Sequence, residues 1–353
     1  MSNTNVKKVQ VSVIITAYNR AEFCMDAISS VLNQDKPRHE FEIIVVKNFY
    51  KEEIDNLIRA NNIISIFRDN CKLGEMLSTG IMAASGELIC FLDDDDLFTP
   101  NKISHVIGVF EGCKDLNYYH HKQDIRDINL IPLKTIYSQK TPFGKFFLRA
   151  SEINQQFQDL MRKHILLSSL FFNLSSIAIR KEIVLKRLDY LSEIVTHPED
   201  FMMFAALTYS KDSILLQENA SLTIYRSHDS LSNIQRGSNT IILERKKLLF
   251  EKDIASSHVI IKLCTNYPFL ERIMRLRLSY EKYIYAILTK NKTSLFKEFK
   301  YLAFKKGLTL TIRRPFEFLL GTPLLYLAFV LTNHSGPNSA IQALVNKFII
   351  KIL

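Results

Sequence analysis

The sequence predicts an α/β protein with a mostly parallel sheet, helices on both faces of that sheet, and a helical C-terminal region. In the first 125 residues, short apolar runs rich in β-branched residues alternate with segments of helical spacing. These strand runs are apolar on both faces, which is typical of parallel strands buried between helices. From Thr240 onward the pattern is helical only, and no glycine-rich linker marks a boundary.

The predicted elements follow one another at regular intervals. Strands are predicted over residues 11–16, 41–46, 63–67 and 87–92, and helices over 19–33, 51–60 and 73–84. The less regular stretch that follows adds strands over 116–121, 176–179 and 222–225, and helices over 152–167 and 201–209. Because ligands bind at the carboxyl ends of such strands, we expect functional residues just after Thr16, Val46 and Leu92.

Length and composition indicate two globular units. A chain of 353 residues holds about two domains at a typical ~150 residues each. We predict a first domain over residues 1–235, with halves 1–115 and 116–235, and a helical region over 236–353. The five cysteines form no CxxC pair, which favours buried thiols in a reducing compartment. The N-terminal segment has no apolar stretch behind its charges, so no secretory signal is expected.

The net charge of +10 lies in the C-terminal region. Residues 239–353 hold 19 Lys and Arg against 7 Asp and Glu, whereas the preceding part is close to neutral. An enzyme that acts on nucleic acid normally places its basic patch around the active site. Here the basic charge lies outside the part that carries the motifs. This distribution favours an anionic membrane surface as a partner and argues against nucleic acid.

Four consecutive aspartates, residues 93–96, follow the strand that ends at Leu92. Thr99 and Pro100 are predicted to cap and begin the next helix, which places the carboxylates in a tight loop. Carboxylates crowded at ~4–5 Å repel one another unless a cation intervenes. A divalent ion with oxygen ligands removes this conflict and can bridge to a diphosphate. The alternative is an ordinary solvated acidic turn.

The stretches VSVIITAYNR, FEIIVV and GEMLSTGIMAASGELICFLDDDDLFTPNKI resemble the nucleotide-sugar half of family 2 glycosyltransferases, which have the GT-A (Rossmann-like) fold. The resemblance is close over residues 10–105 and looser to about residue 233. It implies an inverting hexosyltransferase that moves a sugar from a nucleotide diphosphate to an acceptor hydroxyl. It also implies a divalent metal, Mn²⁺ or Mg²⁺, as cofactor.

The resemblance assigns roles to residues at two strand ends. Thr16 and Tyr18, at the end of the first strand, correspond to residues that border the nucleotide. Asp93 and Asp95 match the DxD motif of the family, with Asp95 as the direct metal ligand. Asp93 and Asp94 would face the ribose or complete the metal shell.

Two departures from the family pattern concern the donor. The family usually has VVDDGS after the second strand, where an aspartate reads the base, and Asn48 takes that place here. An amide can accept from a uracil imide and can also donate, so a UDP-sugar is favoured and a GDP-sugar remains possible. The Arg-Asn that often precedes Gly80 is replaced by Ser-Thr, which removes a basic group near the donor.

The acceptor half contains Glu199 and Asp200 just before an apolar helical run. Thr196 and Glu199 have the spacing of a capping box, which gives Glu199 a structural role. By resemblance, the pair matches the ED motif of the family, whose aspartate is the catalytic base. Asp200 is therefore predicted to take the proton from the acceptor hydroxyl.

Arg226 and His228 follow the last predicted strand. They resemble a stretch of the family that approaches the donor diphosphate. Arg226 is predicted to bind the donor and His228 to join the metal ligands. The alternative for both is an ordinary surface or packing role.

The end of the chain contains an apolar run over residues 316–331, preceded by several basic residues. It is shorter than the ~20 residues of a spanning helix, so we expect it to lie in a membrane interface. Residues 340–353 form a second amphipathic candidate. This predicts a peripheral protein on the cytoplasmic face of the membrane that acts on a glycan or lipid-linked acceptor. The alternative is a helical subdomain that packs on the catalytic core.

Two other functional classes are compatible with parts of the pattern. A GT-A-like nucleotidyltransferase would need a glycine-rich basic loop after the first strand, and this chain has Ala-Tyr-Asn-Arg there. A non-catalytic scaffold that binds nucleotide or glycan would keep the pocket while losing turnover. The missing Arg-Asn keeps this second alternative open.

Overall fold

The computed structural model describes residues 9–133, 145–155, 172–229 and 238–304. These residues divide into two compact units. The first holds the described residues up to Ser227, and the second holds those from His228 onward. The predicted boundary at residue 235 lies outside the described residues, so the domain division stays a prediction.

Within its described residues, the first unit is built on a nine-stranded sheet. Its strands are β1 (Val11–Ala17), β2 (Phe41–Lys47), β3 (Ile64–Phe67), β4 (Leu88–Asp93), β5 (Leu97–Phe98), β6 (Leu116–Arg126), β7 (Phe146–Arg149), β8 (Ile177–Arg180) and β9 (Ile214–Arg226). Its helices are α1 (Cys24–Leu32), α2 (Glu52–Ala60), α3 (Leu73–Ala83), α4 (Lys102–Gly112), α5 (Ala150–Gln155), α6 (Lys181–Leu185), α7 (Leu188–Ser192) and α8 (Pro198–Leu207).

The strand order is β3-β2-β1-β4-β8-β6-β9-β5, and β7 also pairs with β9. Strands β1 to β4 are parallel, and β6 is parallel to β9. Strand β8 runs antiparallel between β4 and β6, while β5 and β7 run antiparallel to β9. Most of the described strands therefore share one direction, which confirms the predicted mostly parallel α/β sheet.

Helices cover both faces of the sheet because the central strands carry apolar side chains on both of their faces. On one face, Val13 and Ile15 of β1 belong to a buried cluster that includes Ile28 of α1. On the other face, Ile14 packs against α3 so closely that a Cβ on Gly80 would lie 2.5 Å from its side chain. Each such aliphatic side chain contributes about 1.5–3 kcal/mol when fully buried.

The carboxyl ends of the parallel strands meet at one edge. Thr16 pairs in register with both Val46 and Asp93. Lys47 pairs in register with Ala17 of β1 and with Phe67 of β3. The ends of four strands therefore form the single edge at which the sequence predicted functional residues.

Two predicted helix starts are wrong. Helix α1 begins at Cys24 and not at residue 19, because the chain turns through Asn19 in the left-handed region, with φ of 56°. Helix α4 begins at Lys102, two residues after the predicted Pro100. The chain just before the helix is held by β9, since the N–H of Thr99 donates to Leu222 O at 3.1 Å.

The predicted capping box at Thr196 and Glu199 is also wrong. Helix α8 begins at Pro198, and its N-cap is His197, in the left-handed region with φ of 52°. Proline is well suited to the first helical position and disfavours helical geometry in the residue before it. In place of the capping box, Glu199 Oε1 lies 2.9 Å from His197 Nδ1.

The second unit is helical in its described part, as the sequence predicted. It contains α9 (Asn239–Leu263), α10 (Pro268–Leu288) and α11 (Lys292–Phe304). The hydroxyl of Ser238 caps α9 by accepting from the N–H of Ile241. None of the described helices is long and apolar enough to cross a membrane. The predicted interfacial segments 316–331 and 340–353 lie outside the described residues.

Candidate active site

The four aspartates form the turn between β4 and β5, at the carboxyl edge of the sheet. The turn is closed by the N–H of Asp96, which donates to Asp93 O at 3.2 Å. Carboxylate oxygens of Asp93, Asp95 and Asp96 lie within 4.8 Å of one another. Among the described residues, these three side chains are the group of acidic, histidine or cysteine residues that lies close enough together to share a metal ion. The sequence predicted Asp93 and Asp95 as ligands, and the structure adds Asp96.

Burial and crowding raise the pKa values of Asp93 and Asp96 in this cluster. Burial, followed by the charges of Asp95, Asp96 and Asp94, raises the pKa of Asp93 well above its ordinary value. Burial and the charge of Asp95 raise the pKa of Asp96 to about 7, although hydrogen bonds to its carboxylate lower it. A divalent cation would relieve this repulsion. The all-oxygen donor set fits Mg²⁺ or Mn²⁺.

Asp96 is tied to two distant segments. Its Oδ2 accepts from Asn173 Nδ2 at 2.8 Å, and its Oδ1 accepts from the N–H of Arg226 at 3.0 Å. Ser175 also hydrogen-bonds to Asp96, and its hydroxyl oxygen accepts from the N–H of Asp93 at 3.0 Å. These contacts fix the loop that carries the carboxylates. Sequence reasoning missed Asn173 and Ser175 because nothing in their local pattern indicates this pairing.

Arg20 is the second group that sequence reasoning missed. Its guanidinium forms ion pairs with Asp94 and with Asp95 Oδ2, the latter at 2.7 Å. Asp94 is buried, and Arg20 pairs with its carboxylate. Its role toward the ribose stays a prediction. A signal for Arg20 was present: the loop after β1 lies beside the end of β4, since Thr16 pairs with Asp93.

Arg226 is buried behind the acidic loop. Its Nε donates to Asp95 O at 3.0 Å, and one NH₂ group donates to Asp26 Oδ2 at 2.8 Å. The guanidinium also lies over the ring of Phe23, 4.3 Å from its centroid. These contacts hold the loop in place, and the predicted role of Arg226 toward the donor diphosphate stays a prediction.

A buried lysine lies beneath the same loop. The ammonium of Lys102 is fully buried and donates to Ser175 O and to Thr223 Oγ1, the latter at 3.0 Å. Burial lowers the pKa of Lys102 to about 7. The lysine therefore links α4 to β9 and to the segment that contacts Asp93 and Asp96.

The predicted nucleotide residues lie along the neighbouring strand ends. Thr16 is buried at the edge, and Tyr18 is 40% exposed. Both the oxygen and the nitrogen of the Asn48 side-chain amide form hydrogen bonds within the protein. Its Oδ1 accepts from the N–H of Asn19 at 2.7 Å, and its Nδ2 donates to Asn19 Oδ1 at 2.7 Å. Both groups that were expected to read uracil are therefore engaged.

The predicted catalytic base lies in the first turn of α8. Asp200 is fully buried, and its N–H donates to His197 O at 3.1 Å. Burial is the main cause of the raised pKa values of Asp93 and Tyr118, and the charge of Glu199 adds to both. The charge of Asp200 also acts on Tyr118. The start of α8 therefore lies within electrostatic range of the acidic loop.

His228, which was predicted as a metal ligand, belongs to the second unit. Its Nδ1 lies 3.1 Å from Asp229 O. The acidic cluster found among the described residues consists of Asp93, Asp95 and Asp96 and does not include it. Its role as a ligand stays a prediction.

Comparison with known proteins agrees with this geometry. Residues 12–187 match the family described as Glycosyl transferase family 2. The match begins in β1, contains the whole acidic loop and ends after β8. The chain belongs to this family, and its mostly parallel sheet agrees with the α/β fold that the resemblance implied.

Two individual relatives share a third or less of their aligned residues with this chain. The chain is 33% identical to an uncharacterized glycosyltransferase of Nostoc sp. over 127 residues, which is 34% of this chain and 38% of that protein. It is 25% identical to an uncharacterized glycosyltransferase of Haemophilus influenzae over 225 residues, 63% of this chain and 70% of that one. The match to the Nostoc relative thus spans well under half of that protein's length.

One relative has a named activity. The poly(ribitol-phosphate) beta-N-acetylglucosaminyltransferase TarS of Staphylococcus aureus is 25% identical over 213 residues, 58% of this chain and 34% of TarS. A solved structure of TarS residues 1–349 in complex with UDP-GlcNAc has a TM-score of 0.48 at 13% identity. That alignment covers 85% of this chain and 92% of the solved one. A likeness of this degree does not by itself define a function.

Proposed function

We propose that this chain is an inverting, metal-dependent glycosyltransferase that moves a sugar from a nucleotide diphosphate to an acceptor hydroxyl. The observation that carries the proposal is the cluster of Asp93, Asp95 and Asp96 at the carboxyl edge of a family 2 sheet. The buried Asp200 lies at the start of the helix whose Glu199 acts electrostatically on Asp93. The proposed donor site and the proposed base would then lie within electrostatic range of each other.

Asp95 and Asp93 would hold the metal, with Asp96 as a braced third carboxylate. When bound, Mg²⁺ or Mn²⁺ would balance the charge of the donor diphosphate as it departs. Arg20 sets the position of the Asp95 side chain through its ion pair. Thr16 and Tyr18 would border the nucleoside from the neighbouring strand end.

Asp200 would act as the base in a single displacement. The acceptor oxygen attacks the anomeric carbon as its proton passes to the Asp200 carboxylate. The bond between that carbon and the diphosphate oxygen breaks, and its electron pair leaves with the nucleotide. Such a base contributes typically 10²–10⁴-fold to the rate. Attack from the face opposite the leaving group inverts the anomeric centre.

A UDP-sugar is the favoured donor, and a GDP-sugar is the second candidate. The name of the TarS relative, an N-acetylglucosaminyltransferase acting on poly(ribitol-phosphate), supports sugar transfer to a cell-surface glycan. We therefore assign a glycan or lipid-linked acceptor to this chain. The setting would be polysaccharide synthesis on the cytoplasmic face of the cell membrane.

A panel of nucleotide sugars tests the proposal directly. The full-length chain is incubated with each donor and Mn²⁺, and the released nucleoside diphosphate is measured with and without chelator. We expect release from one UDP- or GDP-sugar, abolished by chelation and by Asp95→Ala. A protein that binds nucleotide but releases none from any donor, with any glycan acceptor present, would be a scaffold and not an enzyme.

Membrane association is a separate part of the proposal, supported by the 19 basic against 7 acidic residues of 239–353. Each basic residue near an anionic surface contributes ~1 kcal/mol, and this contribution falls with salt. We expect the full-length chain to sediment with phosphatidylserine vesicles at low salt and to be released in part at high salt. Failure to sediment at low salt would leave the basic region as a packing subdomain.

A further inference from the structure

Two exposed aromatic rings lie at the carboxyl edge of the sheet, outside the site described above. Tyr50 is 78% exposed and Phe67 is 43% exposed. Their rings are stacked, with centroids 4.8 Å apart and planes 7° apart. Phe67 ends β3, and Tyr50 lies three residues after the end of β2. Water-facing rings in a flat stack offer a planar apolar surface for another ring.

Lys47 lies against the ring of Tyr50 and helps to hold it in position. The ammonium of Lys47 lies 5.0 Å from the centroid of the Tyr50 ring. It is buried, forms an ion pair with Asp55 Oδ1 at 2.8 Å and donates to Phe49 O at 2.7 Å. These partners hold the ammonium against the ring. Tyr50 is therefore anchored while most of its ring stays open to solvent.

The neighbouring Asn48 is oriented by bonds within the protein. Its amide oxygen and nitrogen are both used by Asn19, each at 2.7 Å. One lone pair and one N–H of the amide remain for a base edge, but a hydrogen bond formed there in exchange for water contributes only ~0.5–1.5 kcal/mol. The face of the base, which needs no polar partner, is the part that this edge of the sheet is equipped to bind.

The aromatic pair lies at the right distance from the acidic loop. Phe67 is in register with Lys47, Lys47 with Ala17, and Thr16 with Asp93. Three strand spacings separate β3 from β4, about 14 Å in total. An extended nucleoside diphosphate spans a distance of this order. Its phosphates can therefore lie at Asp93 while its base lies at Tyr50.

We propose that the Tyr50–Phe67 pair is the stacking surface for the base of the donor nucleotide. The chain then holds the base mainly by its face. This inference rests on the proposed function. Every base has a π-face, so stacking tolerates different bases. UDP and GDP should both bind, in contrast to a site that accepts only the uracil edge.

Calorimetric titration of the full-length chain with Mn²⁺ tests the proposal, using UDP, GDP and inorganic pyrophosphate as probes. Tyr50→Ala should weaken UDP and GDP about tenfold to a hundredfold, the usual range for a stacked base. Tyr50→Phe should restore both affinities. Pyrophosphate, which has no base, should bind Tyr50→Ala as it binds the wild type. Tyr190→Ala, at a partly exposed tyrosine on α7, is the matched control and should change nothing.

Three results would overturn the stacking surface while leaving the proposed function intact. These are unchanged UDP affinity in Tyr50→Ala, an equal loss for pyrophosphate, and unchanged UDP affinity with a raised KM for the acceptor. The last would assign the rings to an acceptor sugar. A wild type that binds neither nucleotide would contradict the proposed function as well, so the two failures are distinguishable.

Discussion

The parallel half of the sheet, β1 to β4, and the mixed half, β6, β8 and β9, contribute different groups to the same site. The parallel half provides the charged side chains of the acidic loop and Arg20, from two adjacent strand-end loops. The mixed half, with the segment before β8, provides Ser175, the amide of Asn173 and the backbone N–H of Arg226. One half carries the candidate ligand-binding groups, and the other fixes their positions.

This difference shows how a crowded acidic loop can be kept in one conformation. The repulsion that raises the pKa of Asp93 would open an unsupported turn. Hydrogen bonds to Asp96 from two distant segments, one with Asn173 and Ser175 and the other with Arg226, resist that opening. The bracing groups are mostly buried, and they lie about 80 to 130 residues away from the loop in sequence.

The largest effect is expected from the residue that would perform the chemistry. Asp200→Asn should lower the rate of sugar transfer by ~10²–10⁴-fold, because the acceptor proton loses its base. Donor affinity should stay near that of the wild type, since the acidic loop is untouched. Single-turnover transfer and calorimetric titration with UDP separate the two quantities. Loss of donor binding together with transfer would show that Asp200 supports the fold and not the reaction.

Arg226 could either hold the acidic loop in position or bind the donor, and a substitution separates these two roles. If Arg226 holds the loop in position, Arg226→Met should lower the free energy of unfolding by about 2–3 kcal/mol, because hydrogen bonds from a buried guanidinium are lost. Chemical denaturation of Arg226→Met checks this value. A variant of normal stability with weakened UDP binding would instead support the role that the sequence predicted, at the donor diphosphate.

Lys102 predicts a pH effect whose sign can be worked out. Its folded pKa of about 7 lies below the unfolded value of 10.5, so the unfolded chain binds more protons between these limits. The contribution of Lys102 to stability therefore rises with pH from about 7 to about 10 and falls as pH drops toward 7. Relative to Lys102→Met, the wild type should gain at most ~1.4 kcal/mol per pH unit in that window. Denaturation curves at pH 7 and 9 with the same difference between the two proteins would contradict the lowered pKa of Lys102.

The sequence predicted the parallel half well because its information is local. Each strand of that half is an apolar run, and the four aspartates follow one of them without interruption. The mixed half was harder, since β9 extends over 13 residues where only residues 222–225 were predicted. Residues such as Glu218 and Ser221 interrupt its apolar pattern, and pairing with β5, β6 and β7 overrides that signal.

The candidate site divides in the same way. Asp93, Asp95 and Asp200 could be selected from motif and position. Asn173 and Ser175 could not, because their partners are set by a strand that inserts antiparallel between β4 and β6. The engagement of Asn48 by Asn19 was likewise invisible, since it depends on a loop that turns through a left-handed residue.

The central claim is that the acidic loop binds a donor nucleotide through a divalent ion. Calorimetric titration of UDP into the full-length chain, with Mn²⁺ and after chelation, tests it most directly. Asp95→Ala is compared with Asp115→Ala, a matched change at an exposed aspartate away from the loop. We predict that binding is lost on chelation and in Asp95→Ala, and is retained in Asp115→Ala. Equal UDP affinity with and without metal, or in both variants, would contradict the account.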